Sequence, residues 1–345
     1  MSLLPSTLPS NCLNTDLDSF IVLFEDELLS TLSSVDKPVY SSAKKLLCSG
    51  GKRIRPRLCF ASGQKNSSLD DVIRASIILE LVHTASLVHD DILDGASFRR
   101  NQATIHEHIG THDAVLVGDA LFSYGLELST NFSDNNVCRI ISKAIRKTCS
   151  GEIIQNSFMG NPTLSLSSYE DFISDKTGCL FGAACKIGGL ISDADPFEQD
   201  CLESIGMSFG VNYQLFDDII DAFGSEAKIG KTLGTDFLSQ KQTLPSILLR
   251  EEASTIDLNH IDELILLGEK SESGIKLFNT YLGRYDVLNK CVDVFNSRIQ
   301  KTKFLINSLH DESRKSLLNS FFESFSHKLS HLNSLNSSNF LAVHI

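Results

Sequence analysis

Between residues 69 and 94 the chain places apolar residues at helical spacing around nearly the whole circumference of a helix, then ends on three aspartates. A surface helix needs only one apolar stripe, so a helix with Val72, Ala75, Leu79 and Val82 spread around it is expected to be central, enclosed by other helices. Ser68 stands at its N-cap position, and the run spans roughly 39 Å at 1.5 Å per residue. Most other long segments share the 3.6-residue period, and the alternation that marks strands and hairpins is missing.

The same period predicts helices over 16–32 (Phe20, Leu23, Phe24 and Leu28 on one stripe), 111–128, 136–160, 198–222 and 244–252, with several more between 259 and 332. Ser167-Ser168-Tyr169-Glu170 has the form of a capping box opening a helix to Ile191. Gly224 suits the end of the 198–222 helix. The fold class is therefore all-α, in one domain over 16–333, with frayed ends at 1–15 and 334–345.

Each of two helical runs closes on Asp-Asp-x-x-Asp: Asp90, Asp91 and Asp94 in the first, Asp217, Asp218 and Asp221 in the second. Residues four apart share a helix face, so Asp90 stacks with Asp94 and Asp217 with Asp221. Acids at a helix C-terminus oppose the macrodipole, and neighbouring carboxylates repel. One such motif alone could be a solvated helix end. Two make sense if divalent cations and a polyphosphate lie between them, because Mg²⁺ favours carboxylate, water and phosphate oxygens.

Basic residues accompany the acids. Gly50-Gly51-Lys52-Arg53-Ile54-Arg55-Pro56-Arg57 sets four cations beside a glycine pair, Arg99-Arg100 follows the first motif, and Gly230-Lys231-Thr232-Leu233-Gly234-Thr235-Asp236 with Lys241 follows the second. Glycine permits close backbone approach and Arg offers a fork for phosphate oxygens. Gly206 and Gly210, four apart, read as a close helix–helix approach.

A net charge of −12 argues against a nucleic-acid partner, which needs a basic surface. Nine cysteines with no CxxC pair read as reduced thiols of a cytoplasmic protein, with no zinc site. A mean hydropathy near zero fits an ordinary globular chain, and no run of 18 apolar residues suggests a transmembrane helix. The first Lys or Arg is Lys37, which speaks against a signal or transit peptide.

In order and spacing, Gly-Gly-Lys-Arg-Ile-Arg-Pro, His83-x6-Asp90-Asp91-x-x-Asp94-x4-Arg99-Arg100, Gly118-Asp119-Ala120-Leu121, Gly151-Glu152-x-x-Gln155, Lys176-Thr177, Gln214-x-x-Asp217-Asp218-x-x-Asp221 and Gly-Lys-x-x-Gly-x-Asp resemble the trans-polyprenyl diphosphate synthase family. The resemblance covers about residues 49–245. It implies a helical bundle of the isoprenoid synthase type with a central substrate cavity, a homodimer, and contact with a membrane surface for product release. It implies three Mg²⁺ ions, with Asp90, Asp94 and Asp217 as principal ligands and Asp91, Asp218 and Asp221 supporting. Arg99, Lys176, Lys231 and Lys241 would bind the allylic diphosphate; Lys52, Arg55, His83 and Arg100 would bind isopentenyl diphosphate. Thr177 and Gln214 would line the reacting centre.

By the same resemblance, residues one turn before the first motif set product length. Ala85 and Ser86 are small, which implies an open tunnel and a product of about seven to ten isoprene units, shortened in Ala85→Tyr. Asn101, Gly95 and Asn212 depart from the family pattern without removing a ligand. A short-chain farnesyl or geranylgeranyl synthase is the alternative on product length. Other readings fit less well: a terpene cyclase has no use for a second diphosphate site, a metal phosphohydrolase would use several His ligands, and non-catalytic subunits of heteromeric synthases tend to lose one Asp motif.

Overall fold

A computed structural model describes residues 16–63, 67–99, 102–224, 234–267 and 272–330. Apart from one short hairpin, regular structure among these residues is helical, as the period requires. The chain divides into two compact units, one from Met1–Arg146, Cys179–Met207 and Leu305–Leu318, the other from Lys147–Gly178, Ser208–Phe304 and Asn319–Ile345.

In the first unit, α1 (Leu17–Leu32), α2 (Lys37–Leu47) and α3 (Ile54–Ser62) precede α4 (Leu69–Leu93). The hairpin β1 (Phe98–Arg99) and β2 (Gln102–Ala103), α5 (Ile105–Ile109) and α6 (Thr111–Ser129) follow it. Asp16 caps α1 by accepting from the Asp18 and Ser19 amides at 3.0 and 2.8 Å. Phe20, Phe24 and Leu28 form the buried stripe of α1, and the Phe20 ring stacks on Phe60 of α3.

The central place expected for α4 is observed: it packs against α1, α2, α3, α5, α6 and α9 (Cys179–Ile191). Its length and composition would suit a membrane span, yet 72% of its most apolar window is buried inside the protein. Each fully buried Leu, Ile or Val contributes about 1.5–3 kcal/mol. Gly125 on α6 lets that helix approach, since a methyl there would meet Val82 Cγ2 at 3.3 Å.

Two details of the termini differ from expectation. Ser68 occupies the N-cap of α4 but its hydroxyl makes no capping bond; Asp70 and Asp71 in the first turn supply the favourable negative charge. At the other end Gly95 takes φ +60°, and the Gly95 and Ala96 amides bond back to the Ile92 and Asp91 carbonyls at 3.2 and 2.9 Å. That is a Schellman stop, so the glycine at 95 answers a backbone demand.

The hairpin itself is a correction. It pairs Phe98 with Ala103 and Arg99 with Gln102, two residues per strand, too short to show alternation.

In the second unit α8 (Leu166–Ile173) is capped by Ser165, whose hydroxyl accepts from the Ser168 amide at 3.2 Å. The helix starts two residues before the expected box at Ser167, and Glu170 pairs with Arg298 instead of capping. Nor is the segment one helix to Ile191: Ser174–Gly178 forms a π turn before α9 begins. α10 (Pro196–Phe223) carries the second Asp motif at its end, and the Gly224 amide bonds to the Ile220 carbonyl at 2.8 Å. Then come α11 (Thr235–Leu238), α12 (Leu244–Glu252), α13 (Thr255–Leu267), α14 (Glu272–Arg284), α15 (Val287–Asn307) and α16 (Glu312–Ser330).

Candidate active site

The first unit holds the basic loop and the first Asp motif. Of the four cations after Gly51, Arg53 turns inward in a left-handed conformation (φ 46°). Its guanidinium donates to Glu25 Oε1 and Oε2 at 2.7 and 3.1 Å, to Glu80 Oε2 at 2.9 Å and to the Leu47 carbonyl at 2.6 Å. This buried anchor ties the loop to α1, α2 and α4, while Lys52 stays exposed. Arg55 is half-buried with its guanidinium 4.3 Å from the centroid of Phe181. His83 is half-buried on α4.

Asp90 is half-buried and Asp94 exposed, but Asp91 is 3% exposed and accepts from Arg99 Nε at 2.7 Å. Burial raises the Asp91 pKa above its ordinary value, against the opposing pull of Arg99 and His106. Arg99 thus meets the middle aspartate of the motif, at the foot of the hairpin that brings it back to α4. Arg100 and Asn101 lie outside the described residues.

His89 precedes the motif and packs on α6: its Nε2 is 3.2 Å from the Val115 carbonyl, and its ring lies against Gly118, where a methyl would stand 2.3 Å from Nε2. Ala85 is fully enclosed; Ser86 is half-buried and donates to the His83 carbonyl at 2.8 Å.

In the second unit the π turn brings Thr177 to Gln214, three residues before Asp217, and Lys176 to Glu152 and Gln155. π turns of this kind recur at functional positions. Lys176 Nζ pairs with Glu152 and donates to Gln155 Oε1 at 2.6 Å. Gly151 lets the turn approach α7 (Asn136–Ser157), because a methyl there would lie 2.4 Å from the Lys176 backbone nitrogen. Thr177 Oγ1 donates to Gln214 Oε1 at 3.0 Å, and Gln214 Nε2 donates to Asp218 Oδ1 at 2.8 Å. The Tyr169 phenol donates to Asp218 Oδ2.

Asp218 is 2% exposed, and burial pushes its pKa up to about 6 although the two hydrogen bonds oppose this. Asp217 is half-buried. Asp221 is buried, and its Oδ2 accepts from the Asp236 amide at 3.0 Å while its carbonyl accepts from Gly234 at 2.9 Å, tying Gly234 and Asp236 to the helix end. The Lys241 amide bonds to the Asp236 carbonyl at 2.9 Å. Lys231 lies outside the described residues.

Sequence reasoning assigned no functional role to Tyr169, Glu152 or Gln155, and His89 entered it only as the neighbour of Asp90 that suggests a metal phosphohydrolase. Glu152 and Gln155 had a signal, a three-residue spacing behind a glycine; Tyr169 had none. In both motifs the middle aspartate is buried and bonded by the protein, while the first is half-buried.

The donor set suits Mg²⁺ held jointly with a phosphate. Among the described residues no three His, Cys, Asp or Glu side chains gather to hold a metal by themselves. Mg²⁺ characteristically takes one or two carboxylates and completes its shell with water and substrate phosphate, and Asp90 with Asp94, i and i+4 at a helix end, offer that number.

The family model described as Polyprenyl synthetase matches residues 36–281. The chain is 33% identical over 252 residues to the short chain isoprenyl diphosphate synthase of Methanocaldococcus jannaschii, covering 71% of this chain and 76% of that protein. It is 33% identical over 285 residues to heptaprenyl diphosphate synthase component 2 of Bacillus subtilis, covering 78% and 80%. Its fold matches the crystal structure of heptaprenyl diphosphate synthase from Staphylococcus aureus with a TM-score of 0.81 at 28% identity, covering 90% of this chain and 97% of that one. With its ordered motifs, its helical architecture and these matches, the chain belongs to the polyprenyl synthetase family of prenyltransferases.

Proposed function

We propose that the chain condenses an allylic diphosphate with isopentenyl diphosphate in a Mg²⁺-dependent ionisation, condensation and elimination, and that it makes a long-chain product of about seven to ten isoprene units. The observation that carries the reaction is the pairing of half-buried Asp90 and exposed Asp94 with an inward Asp91 fixed by Arg99. Asp91 serves the scaffold here, and Asp90 and Asp94, one helical turn apart, are assigned to the metal.

Asp90, Asp94 and Asp217 would hold the metal ions. Bound with the substrate, Mg²⁺ would neutralise charge developing on the leaving diphosphate. Arg99, Lys176, Lys231 and Lys241 bind that diphosphate; Lys52, Arg55, His83 and Arg100 hold the diphosphate of isopentenyl diphosphate. The isopentenyl double bond attacks the allylic cation, and the proton released goes to the departing diphosphate. Thr177 and Gln214 stabilise the cation. No nucleophilic Ser or Cys is required.

Product length rests on Ser86, small and half-buried one turn before Asp90. A short-chain product is the second reading, supported by the similarity to the short chain synthase of Methanocaldococcus jannaschii. Purified protein is incubated with Mg²⁺, labelled isopentenyl diphosphate and allylic diphosphates of increasing length, and the products are sized. No incorporation with any primer sinks the reading; a ladder ending at three or four units selects the short-chain one.

A further inference from the structure

Tyr169, Asp218, Gln214 and Thr177 are joined by an unbranched chain of hydrogen bonds whose direction is fixed by their chemistry. An ionised carboxylate only accepts. Asp218 takes the Tyr169 phenol on Oδ2 and the Gln214 NH₂ group on Oδ1 at 2.8 Å. The Gln214 amide is thereby turned so that its oxygen faces Thr177, whose hydroxyl donates to it at 3.0 Å. A hydroxyl has one proton, and this one is committed. Anything else meeting Thr177 Oγ1 meets lone pairs.

The neighbouring residue of the π turn has the opposite character. Lys176 has three N–H donors and directs them at Glu152 and Gln155, leaving one. Two adjacent side chains therefore suit opposite charges. Lys176 suits the anionic diphosphate, and Thr177 suits the cationic carbon.

We propose that Tyr169 and Asp218 are positioning residues that act through Gln214 to hold Thr177 as an obligate hydrogen-bond acceptor, reserving its oxygen for the allylic cation. This rests on the synthase reading above. It also gives Asp218 a role beyond the supporting metal ligand implied by resemblance, since a protein donor holds each of its oxygens and it is buried.

The test reverses the chain and then restores it. In Asp218→Asn the new amide keeps its oxygen on the buried Tyr169 phenol, whose proton would otherwise lose its acceptor, and presents NH₂ to Gln214. That forces the Gln214 amide to turn over and makes Thr177 accept from it, so its own proton points elsewhere. Isopentenyl incorporation should lose kcat by about 10²–10³, the scale of a lost transition-state contact, with KM for both diphosphates and the Mg²⁺ half-saturation unchanged. Gln214→Glu alone sets two carboxylates against each other and should also lose kcat. When Asp218→Asn and Gln214→Glu are combined, the carboxylate at position 214 accepts both from the amide at position 218 and from Thr177. The double variant should therefore turn over faster than either single variant, which a generally damaged fold would not do.

Tyr169→Phe provides a separate arm, losing kcat less than Asp218→Asn. Independently of turnover, the Tyr169 hydroxyl proton should resonate far downfield in the wild type, move upfield in Asp218→Asn and vanish in Tyr169→Phe. A raised Mg²⁺ requirement or allylic KM in Asp218→Asn, with no recovery in the double variant, would overturn the proposal and return Asp218 to metal binding. Wild-type incorporation is scored separately: its absence refutes the synthase reading itself, whatever the variants do.

Discussion

Arg53 Nη1 lies 2.9 Å from Glu80 Oε2, and both side chains are buried. Removing one partner of such a pair strands the other charge in a low-dielectric interior, at a cost of about 3–5 kcal/mol. Arg53→Ala should therefore lower urea-unfolding stability by that amount. Arg53→Lys should recover little, because an ammonium cannot reproduce the fork on Glu25 together with the bond to Leu47. Wild-type stability in Arg53→Ala would show the anchor to be dispensable.

Glycines 151 and 118 make contrasting predictions. A methyl on Gly151 meets the Lys176 backbone nitrogen at 2.4 Å, whereas one on Gly118 meets the tip of the His89 ring at 2.3 Å. A ring can rotate away; a backbone cannot. Gly151→Ala should destabilise by about 1–3 kcal/mol or more and reduce kcat by displacing the π turn. Gly118→Ala should unfold closer to the wild type. Thermal melts of the two variants side by side decide this, and the reverse order would contradict the packing.

Glu203 gives a pH-dependent prediction. Burial pushes its pKa up, but hydrogen bonds from Lys186 at 2.6 Å and Lys143 at 3.1 Å, with their charges, outweigh that, and it lies below its ordinary value of 4.5. A carboxyl with a depressed native pKa contributes stability above the unfolded-state value and loses it as pH falls through the native one. Glu203→Gln should thus cost about 1 kcal/mol at neutral pH. The difference from wild type should close as the pH drops below 4.5. A gap that persists in acid would assign the loss to packing.

The cysteines should separate by accessibility. Cys48 and Cys149 are exposed, while Cys185 is buried and burial raises its thiol to about 12. Since only the thiolate reacts, maleimide at mild alkaline pH should modify Cys48 and Cys149 in the native protein and reach Cys185 only after denaturation. Peptide mapping by mass spectrometry reads the order directly.

Product length can be probed at two adjacent positions. Ser86 is half-buried, so Ser86→Tyr should shorten the product ladder with little change in melting temperature. Ala85 is fully enclosed, and Ala85→Tyr should also overpack the core, at about 1–3 kcal/mol. An unchanged ladder in both variants would remove the first motif's preceding turn from control of length.

How much of this was legible in the sequence depended on how far apart the partners lie along the chain. The central place of α4 follows from apolar residues all round it, and the stacking of Asp90 on Asp94 from a spacing of four; both are local. Which cation of the basic loop turns inward is not local. Arg53 is chosen by Glu25 and Glu80, 28 and 27 residues away. Tyr169 finds Asp218 across 49 residues, so nothing in its own surroundings marks it. Gly95 looked like a departure from a pattern; it proves to be the residue that stops a helix.

A π turn contains one residue more than the α-helix would place in the same stretch. That extra residue advances the angular phase of the next helix by roughly a hundred degrees. Any helical wheel drawn from Leu166 through Ile191 therefore assigns the wrong face to every residue after Gly178. Deleting a single residue within Ser174–Gly178 would restore a regular wheel, and the chain would lose the offset by which Lys176 and Thr177 reach their partners.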